Sequence, residues 1–287
     1  LIIALDCGIK SIDKIEYAKT FGIDFIICDH HRPGAELPDA VAVLDPKRND
    51  CDYPFKELSG CGVGFKLIQA YVMAHKLEFS ELEEYLDLVA ISIAADIVPI
   101  VGENRILTYY GLKRLNSKPR PGIKAILDIS GNSRELTVND VVFTIAPRIN
   151  AAGRIESGNQ AVELLISEKP DEAMSHGEEI NKKNTTRKNL NETITREAMT
   201  LIEQDTKFKD RKSTVLYNPK WHKGVIGIVA SKLTDEFYRP TIILTKSNGV
   251  AAGSARSVKD FDIYNAIESC SDLLDQFGGH MYAAGLT

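Results

Sequence analysis

The residues most able to do chemistry in this chain are Asp6, the consecutive Asp29-His30-His31, and Asp96. Two imidazoles and a carboxylate on one turn crowd nitrogen and oxygen donors together. Such a mixed set suits Mn²⁺, Fe²⁺, Zn²⁺ or Co²⁺, whereas an all-oxygen set would suit Mg²⁺ or Ca²⁺. Taken singly, each residue has an ordinary reading: an Asp-His-His turn with Asp29 capping and the histidines in solvent, Asp6 as a turn or N-cap residue, Asp96 as a helix-end charge. Only their convergence would make a site, so the elements that position them decide the matter.

Leu1 to Leu5 is an apolar run, Ser11 is a candidate N-cap, Ile12, Ile15 and Ala18 recur at helical spacing, Gly22 closes the helix, and Ile23 to Cys28 is apolar again. This is a βαβ unit. Its right-handed crossover makes the strands parallel and puts their C-terminal ends on one sheet edge, where open α/β sheets place ligands. Asp6 and Asp29 both fall there. A third strand is expected at Val41 to Leu44, helices around Gly62 to Ala74 and Glu81 to Ala94, and Asp96 follows the second of these. Pro170 to about Gln204 reads as one helix with a nearly wholly polar middle, Asn181 to Asn189, a pattern expected of a helix bridging domains through solvent. Beyond it come a strand (Thr214 to Tyr217), a helix (Val225 to Tyr238), strands at Thr241 to Thr245 and Val250 to Ser254, a helix from Asp262 to Leu274, and the start of another helical pattern at Ala283.

With 287 residues the chain is long enough for two domains. Its 44% hydrophobic and 26% charged content is that of a folded soluble protein, with no apolar run fit to cross a bilayer. The five cysteines, Cys7, Cys28, Cys51, Cys61 and Cys270, form no C-x-x-C pair, which favours a reducing, cytoplasmic setting. A net charge of -5 means that a nucleic acid would have to be gripped by a local basic patch. The start at Leu1, without initiator Met or basic n-region, argues against a signal peptide and reads as a fragment entered midway through a domain.

Several motifs suit an anionic substrate. Arg148 and Arg154 flank a small-residue turn, Asn150-Ala151-Ala152-Gly153, and two converging guanidinium groups suit a terminal phosphate; the plainer alternative is two surface arginines at helix ends. Lys182, Lys183, Arg187 and Lys188 form a run without an intervening acid, which reads equally as a solvated face or as non-specific phosphate contacts. Gly278-Gly279-His280 reads as a helix start able to face an anion. His222 is expected near the substrate, and Trp221 is expected in packing rather than stacked on a base.

The runs Leu5-Asp6-Cys7-Gly8-Ile9, Cys28-Asp29-His30-His31 and Ala95-Asp96-Ile97-Val98-Pro99 resemble successive motifs of the DHH phosphoesterase superfamily. Within it the likeness is to the single-strand-specific 5′-to-3′ DNA exonucleases. It extends through Tyr53 to Gly60, Gly102 to Arg105, Pro147 to Arg154, Trp221 to Gly227, Gly253 to Ser257 and Gly278 to His280. The resemblance implies an α/β fold: a parallel-sheet DHH catalytic domain (1–169), a connecting helix (170–205) and a smaller α/β DHH-associated domain (206–287) that closes over the strand.

The same resemblance implies two-metal hydrolysis of phosphodiesters with Mn²⁺ or Mg²⁺, in DNA repair and recombination. Asp6 would bridge two ions, His30 and Asp96 would complete the coordination, and Asp29 and His31 would orient ligands or touch the scissile phosphate. Arg148, Asn150, Arg154, His222, Ser254, Arg256, Gly278, Gly279 and His280 would hold the substrate. Implied partners are single-stranded DNA, single-strand-binding protein and a helicase, with no membrane and a monomeric state. The family's first motif, an Asp-x-Asp pair expected upstream of Leu1, and its OB-fold domain are absent from this sequence, so the chain alone is expected to bind metal weakly or not at all and to lack nuclease activity. The alternatives are a DHH phosphodiesterase acting on short RNA or cyclic dinucleotides, and a non-catalytic nucleic-acid-binding scaffold.

Overall fold

In the computed structural model, which describes residues 1–287, the opening apolar runs become strands β1 (Ile2–Leu5), β2 (Phe25–Cys28) and β3 (Ala42–Leu44), with helix α1 (Ile12–Lys19) crossing between the first two. The three strands are parallel, in the order β1-β2-β3, with Leu5 beside Cys28 and Cys28 beside Leu44. The residues that follow, Asp6, Asp29 and Asp45, therefore leave the sheet along one edge. Helices α2 (Gly60–Ala74), α3 (Leu86–Ala95) and α4 (Gly102–Ser117) follow. Val63, Phe65, Leu82, Val89 and Ile93 bury themselves with Cys28 and Leu58, and this apolar cluster is what fixes the helices behind the sheet edge.

Helix α5 (Pro121–Ser130) has Pro at its start and Gly131 at φ 70° just past its end, the usual asymmetry of helix termini. Three short segments then run consecutively: α6 (Val138–Asp140), a π turn (Val141–Ile145) and α7 (Ala146–Ile155). Pro147 has no N–H to give the preceding turn, and the wider π turn accommodates its ring. After α8 (Asn159–Ile166), helix α9 spans Pro170–Gln204, the bounds expected from its pattern.

The remainder is a second sheet. Strands β4 (Thr214–Tyr217), β5 (Thr241–Ser247), β6 (Val250–Arg256), β7 (Phe277–His280) and β8 (Ala283–Leu286) lie in the order β4-β5-β6-β8-β7, with β4 and β5 parallel and the other pairs antiparallel. Helix α10 (Lys223–Phe237) and the short α11 (Ile263–Glu268) complete it. Asn248 and Gly249, at φ 51° and 87°, make the tight β5–β6 turn, the left-handed pair that a two-residue hairpin requires. By backbone contacts the chain divides into two compact units, Leu1–Pro147 with Leu164–Gly177, and Arg148–Glu163 with Glu178–Thr287. No helix is long and apolar enough to cross a membrane.

Five local expectations are corrected. Asn150-Ala151-Ala152-Gly153 lies inside α7 rather than on a turn, because Ala151 and Ala152 are small enough to be buried completely against neighbouring elements. Gly278-Gly279-His280 is strand, not a helix start, and Ala283 onward is strand too. Those small residues look helical by composition, but β8 has β6 on one side and β7 on the other, so pairing satisfies both of its backbone edges. The helix expected from Asp262 ends at Glu268, with a separate 3₁₀ turn at Ser271–Leu273. Finally, the middle of α9 is not solvated all round, since Asn184 is only 2% exposed.

Candidate metal centre and anion-binding cluster

Asp6 sits in a left-handed conformation, φ 62°, at the turn out of β1. A non-glycine residue accepts that conformation only where its surroundings demand it. Here the Asp6 N–H still donates to the Cys28 carbonyl at 2.8 Å, while its carboxylate Oδ1 lies 3.1 Å from His30 Nε2. Helix α2 begins against the same carboxylate. A Cβ on Gly60 would stand 2.2 Å from Asp6 Oδ1, so this position must be glycine for the helix start to approach it. Ser59 caps that start, its Oγ accepting from the Gly62 N–H at 3.1 Å.

Asp29 organises the turn from within. Its carboxylate is 1% exposed and accepts from the N–H groups of Ile9 (3.0 Å), His30 (2.8 Å) and His31 (3.2 Å), and from His31 Nδ1 (2.7 Å). Burial opposes its ionisation, but the hydrogen bonds from Ile9, His31 and His30 outweigh it and hold the carboxyl below its ordinary range. The two imidazoles pack edge to face, their ring centroids 4.7 Å apart. His30 Nδ1 donates to the Leu58 carbonyl at 3.0 Å and His31 Nδ1 to Asp29, so in each neutral ring the lone pair is on Nε2, and that of His30 faces Asp6. A proton taken up at His30 Nε2 makes a hydrogen bond to the Asp6 carboxylate, which raises the His30 pKa.

The ligand atoms of Asp6, His30 and His31 all lie within 4.8 Å of one another. Asp96 caps α3, its Oδ2 accepting from Ser92 Oγ at 3.2 Å. It stands outside that trio yet within its field: surrounding protein, and then the Asp6 carboxylate, push its pKa up, while His30 pulls it down. Two carboxylates that repel each other beside two imidazoles with free lone pairs fit a divalent cation, which would remove the repulsion.

The second unit carries the opposite charge. On α7, Arg148 Nε donates to Asn181 Oδ1 (3.1 Å) and Arg154 Nη1 to the Gly224 carbonyl (3.2 Å). On β6, Arg256 donates to Ser231 Oγ (3.1 Å), Ser254 Oγ (2.9 Å) and its neighbour's carbonyl at Ala255 (2.7 Å). A Cβ on Gly227 would meet Ser254 Oγ at 2.8 Å and Arg256 Nη2 at 2.9 Å, so α10 passes close to both side chains where it carries glycine. Burial lowers the pKa of Arg256, and the charge of Arg154 lowers it further. Strand register pairs Ser254 with Gly285 and Gly285 with Gly278, and pairs Arg256 with Ala283 and Ala283 with His280. Directly paired residues share a face, so Ser254, Arg256, Gly278 and His280 lie on one side of the sheet, His280 about 10 Å from Arg256 across two strand spacings. His222 caps α10, its Nδ1 accepting from the Gly224 N–H at 3.2 Å, and Trp221 is buried with its indole N–H on Glu197 at 2.7 Å.

Residues 1–93 match the DHH family, N-terminal domain, and residues 210–287 match the DHHA1 domain. The single-stranded-DNA-specific exonuclease RecJ of Bacillus subtilis (strain 168) is 44% identical over 290 residues, covering all of this chain and 36% of that protein. Among solved structures, exonuclease RecJ bound to manganese superposes with a TM-score of 0.81 at 32% identity, covering 99% of this chain and 70% of that one. The chain belongs to the RecJ family. RecJ of Thermus thermophilus in complex with Mn²⁺ is also similar, with a TM-score of 0.87 at 31% identity over 99% of this chain and 42% of that one.

Against RecJ the chain thus spans about a third of the Bacillus subtilis protein's length. The motif residues shared with that family owe their geometry to others that carried no role in the sequence reading. Leu58 supplies the carbonyl that fixes the His30 tautomer. Asn104, fully buried, donates to the carbonyls of Glu57 (2.6 Å) and Pro99 (3.0 Å), tying the Leu58 segment to the loop after Asp96. The signal for both was available, since each lies in a run quoted for the resemblance, but a main-chain carbonyl and a buried amide have no chemistry of their own to attract notice.

Proposed function

We propose that the protein is a metal-dependent exonuclease that hydrolyses single-stranded DNA from its 5′ end, in DNA repair and recombination. The observation that carries this reading is the convergence of Asp6, His30 and His31 within 4.8 Å at the edge of a parallel sheet, in a chain of the RecJ family. Asp6, His30, His31 and Asp96 would hold Mn²⁺ or Mg²⁺. Such ions supply a water of lowered pKa and neutralise charge growing on the phosphoryl oxygens. The chain's own residues do the rest: Asp29 fixes the His31 imidazole and the Leu58 carbonyl that of His30, Asn104 and Ser59 hold the loops that shape the site, and Arg148, Arg154, Ser254 and Arg256 grip phosphate, with Asn150, His222, Gly278, Gly279 and His280 contributing to the substrate face. Single-stranded DNA is the substrate partner. A single-strand-binding protein and a helicase are proposed to deliver it, in the cytoplasm, a setting that suits five free thiols.

The test is hydrolysis of end-labelled oligonucleotides, with Mn²⁺ present, by this chain joined to an upstream segment that supplies the Asp-x-Asp pair, since the chain alone is expected to lack activity. Stepwise release of mononucleotides from the 5′ end of single strands, lost in Asp6→Ala, is the expected result. Hydrolysis of dinucleotides alone, or metal-independent cleavage, would overturn the assignment.

A further inference from the structure

The segment from Tyr53 to Leu58 belongs to no helix or strand, and none of its N–H groups donates to another main-chain group. Yet it ends on the Leu58 carbonyl that takes the His30 Nδ1 proton. What holds it is the start of α4. Tyr53 Oη donates to Glu103 Oε2 at 2.7 Å, Asn104 Nδ2 donates to the Glu57 carbonyl at 2.6 Å, and Gly102, at φ 50°, leaves the Phe55 ring the space that a Cβ would occupy. The other oxygen of the Glu103 carboxylate, Oε1, pairs with Lys66 Nζ of α2 at 2.6 Å, and the two side chains are only 30% and 24% exposed. Burial, and then the bond to Glu103, push the Tyr53 pKa up, so its phenol stays a donor.

Glu103 and Asn104 thus reach the supports of Asp6, His30 and Asp96 together. Helix α2 starts at Gly60 against Asp6, the Leu58 carbonyl faces His30, and Asn104 holds the Pro99 carbonyl in the loop after Asp96. Two acceptors compete for the single proton of a neutral His30 ring, the Leu58 carbonyl at Nδ1 (3.0 Å) and the Asp6 carboxylate at Nε2 (3.1 Å). A carboxylate is the stronger acceptor, so a Leu58 carbonyl that drifts gives the proton to Nε2 and removes the lone pair that a metal needs. We infer that Glu103 is a positioning residue of the metal centre: through Tyr53 and Lys66 it keeps the Leu58 carbonyl on His30, and so sets metal affinity without touching metal or substrate. The plainer role of an acid in the first turn of a helix is to stabilise that helix, which predicts a loss of stability with metal affinity unchanged. This inference rests on the reading of Asp6, His30, His31 and Asp96 as a metal site.

Mn²⁺ calorimetry on this chain carrying an upstream Asp-x-Asp segment, with urea midpoints and rates on single-stranded DNA, separates the two roles. Glu103→Ala and Tyr53→Phe each weaken Mn²⁺ binding roughly tenfold, and the double variant loses no more than either alone. Glu103→Gln, whose amide carbonyl still accepts from Tyr53, recovers most of the affinity. At subsaturating Mn²⁺, kcat falls in both single variants while KM for DNA is unchanged, and excess Mn²⁺ restores kcat. If Glu103→Ala does not fold, Tyr53→Phe, which removes one hydroxyl, carries the test. Wild-type Mn²⁺ affinity in Tyr53→Phe, or in a folded Glu103→Ala protein with a lowered urea midpoint, overturns the role of Glu103 while leaving the metal centre in place. Absence of Mn²⁺ binding by the unsubstituted protein overturns the metal-centre reading, and this inference with it.

Discussion

The two clusters are assembled from opposite materials and by opposite routes. In the first unit the Asp29 turn is organised by one buried carboxylate that takes four hydrogen bonds, and two imidazoles are left presenting the same nitrogen. Its key residues are adjacent in sequence or adjacent across parallel strands. In the second unit the cations come from α7, α9 and β6, and Arg154, Arg187 and Arg256 rest on neutral acceptors. The contrast teaches that a metal centre is preorganised by satisfying its orienting groups, whereas an anion site is preorganised by holding cations on partners that carry no counter-charge.

Breaking the first cluster should have the largest effect. Asp6→Ala or His30→Ala should lower Mn²⁺-dependent hydrolysis by more than the roughly 10–100-fold typical of losing an outer partner, and kcat should carry the loss. Gly60→Ala belongs in this class, because its Cβ would stand 2.2 Å from Asp6 Oδ1; single-turnover rates read it without interference from product release. Asp29→Asn comes next. It should cost on the order of 10–100-fold in metal affinity, read by calorimetry, because the amide cannot accept from three N–H groups and an imidazole as a carboxylate does. It should also flatten the acid limb of stability. The folded Asp29 carboxyl titrates below its ordinary value, so the stability it lends is complete above that value and is lost as pH falls through the folded pKa; urea midpoints across the acid range would register the change.

The second cluster should respond in KM. Arg154→Ala or Arg256→Ala each removes a charge-assisted contact worth about 1.5–3 kcal/mol, so affinity for 5′-phosphorylated strands should fall about tenfold or more with kcat little changed. An equal loss in kcat would erase the distinction between the clusters. The smallest effect is expected at Trp221, which the structure places in the core beside Val225 and Ile226. Trp221→Phe gives up the hydrogen bond to Glu197 and should cost about 1 kcal/mol of stability with DNA affinity unaltered; a loss of affinity at constant stability would make it a stacking residue after all.

The difference between the clusters also sets how much of each was legible in the sequence. The βαβ pattern of residues 1–28 was enough to bring Asp6 and Asp29 to one sheet edge, because parallel pairing and handedness follow from the alternation of apolar runs alone. The 35-residue α9 was equally plain, having Pro and two acidic residues in its first turn and a helical pattern that continues to its end. Where small residues dominate, the pattern misled: Ala283-Ala284-Gly285 reads as helix or strand until its neighbours in the sheet are known. The unequal settings of the basic residues on α9 were invisible for a related reason. Four basic residues within one helical stretch differ only in which way they face, and burial of Asn184, three residues before Arg187, decides that.

The account rests on the division of labour between an acidic, imidazole-rich metal centre and a cationic phosphate site. Calorimetric Mn²⁺ titration of the protein carrying an upstream Asp-x-Asp segment, beside its Asp6→Asn, His30→Ala, Arg154→Ala and Arg256→Ala variants, tests that division most directly. The account predicts that metal binding is lost in the first two and kept at wild-type affinity in the last two. Retention of Mn²⁺ binding by both Asp6→Asn and His30→Ala would contradict it.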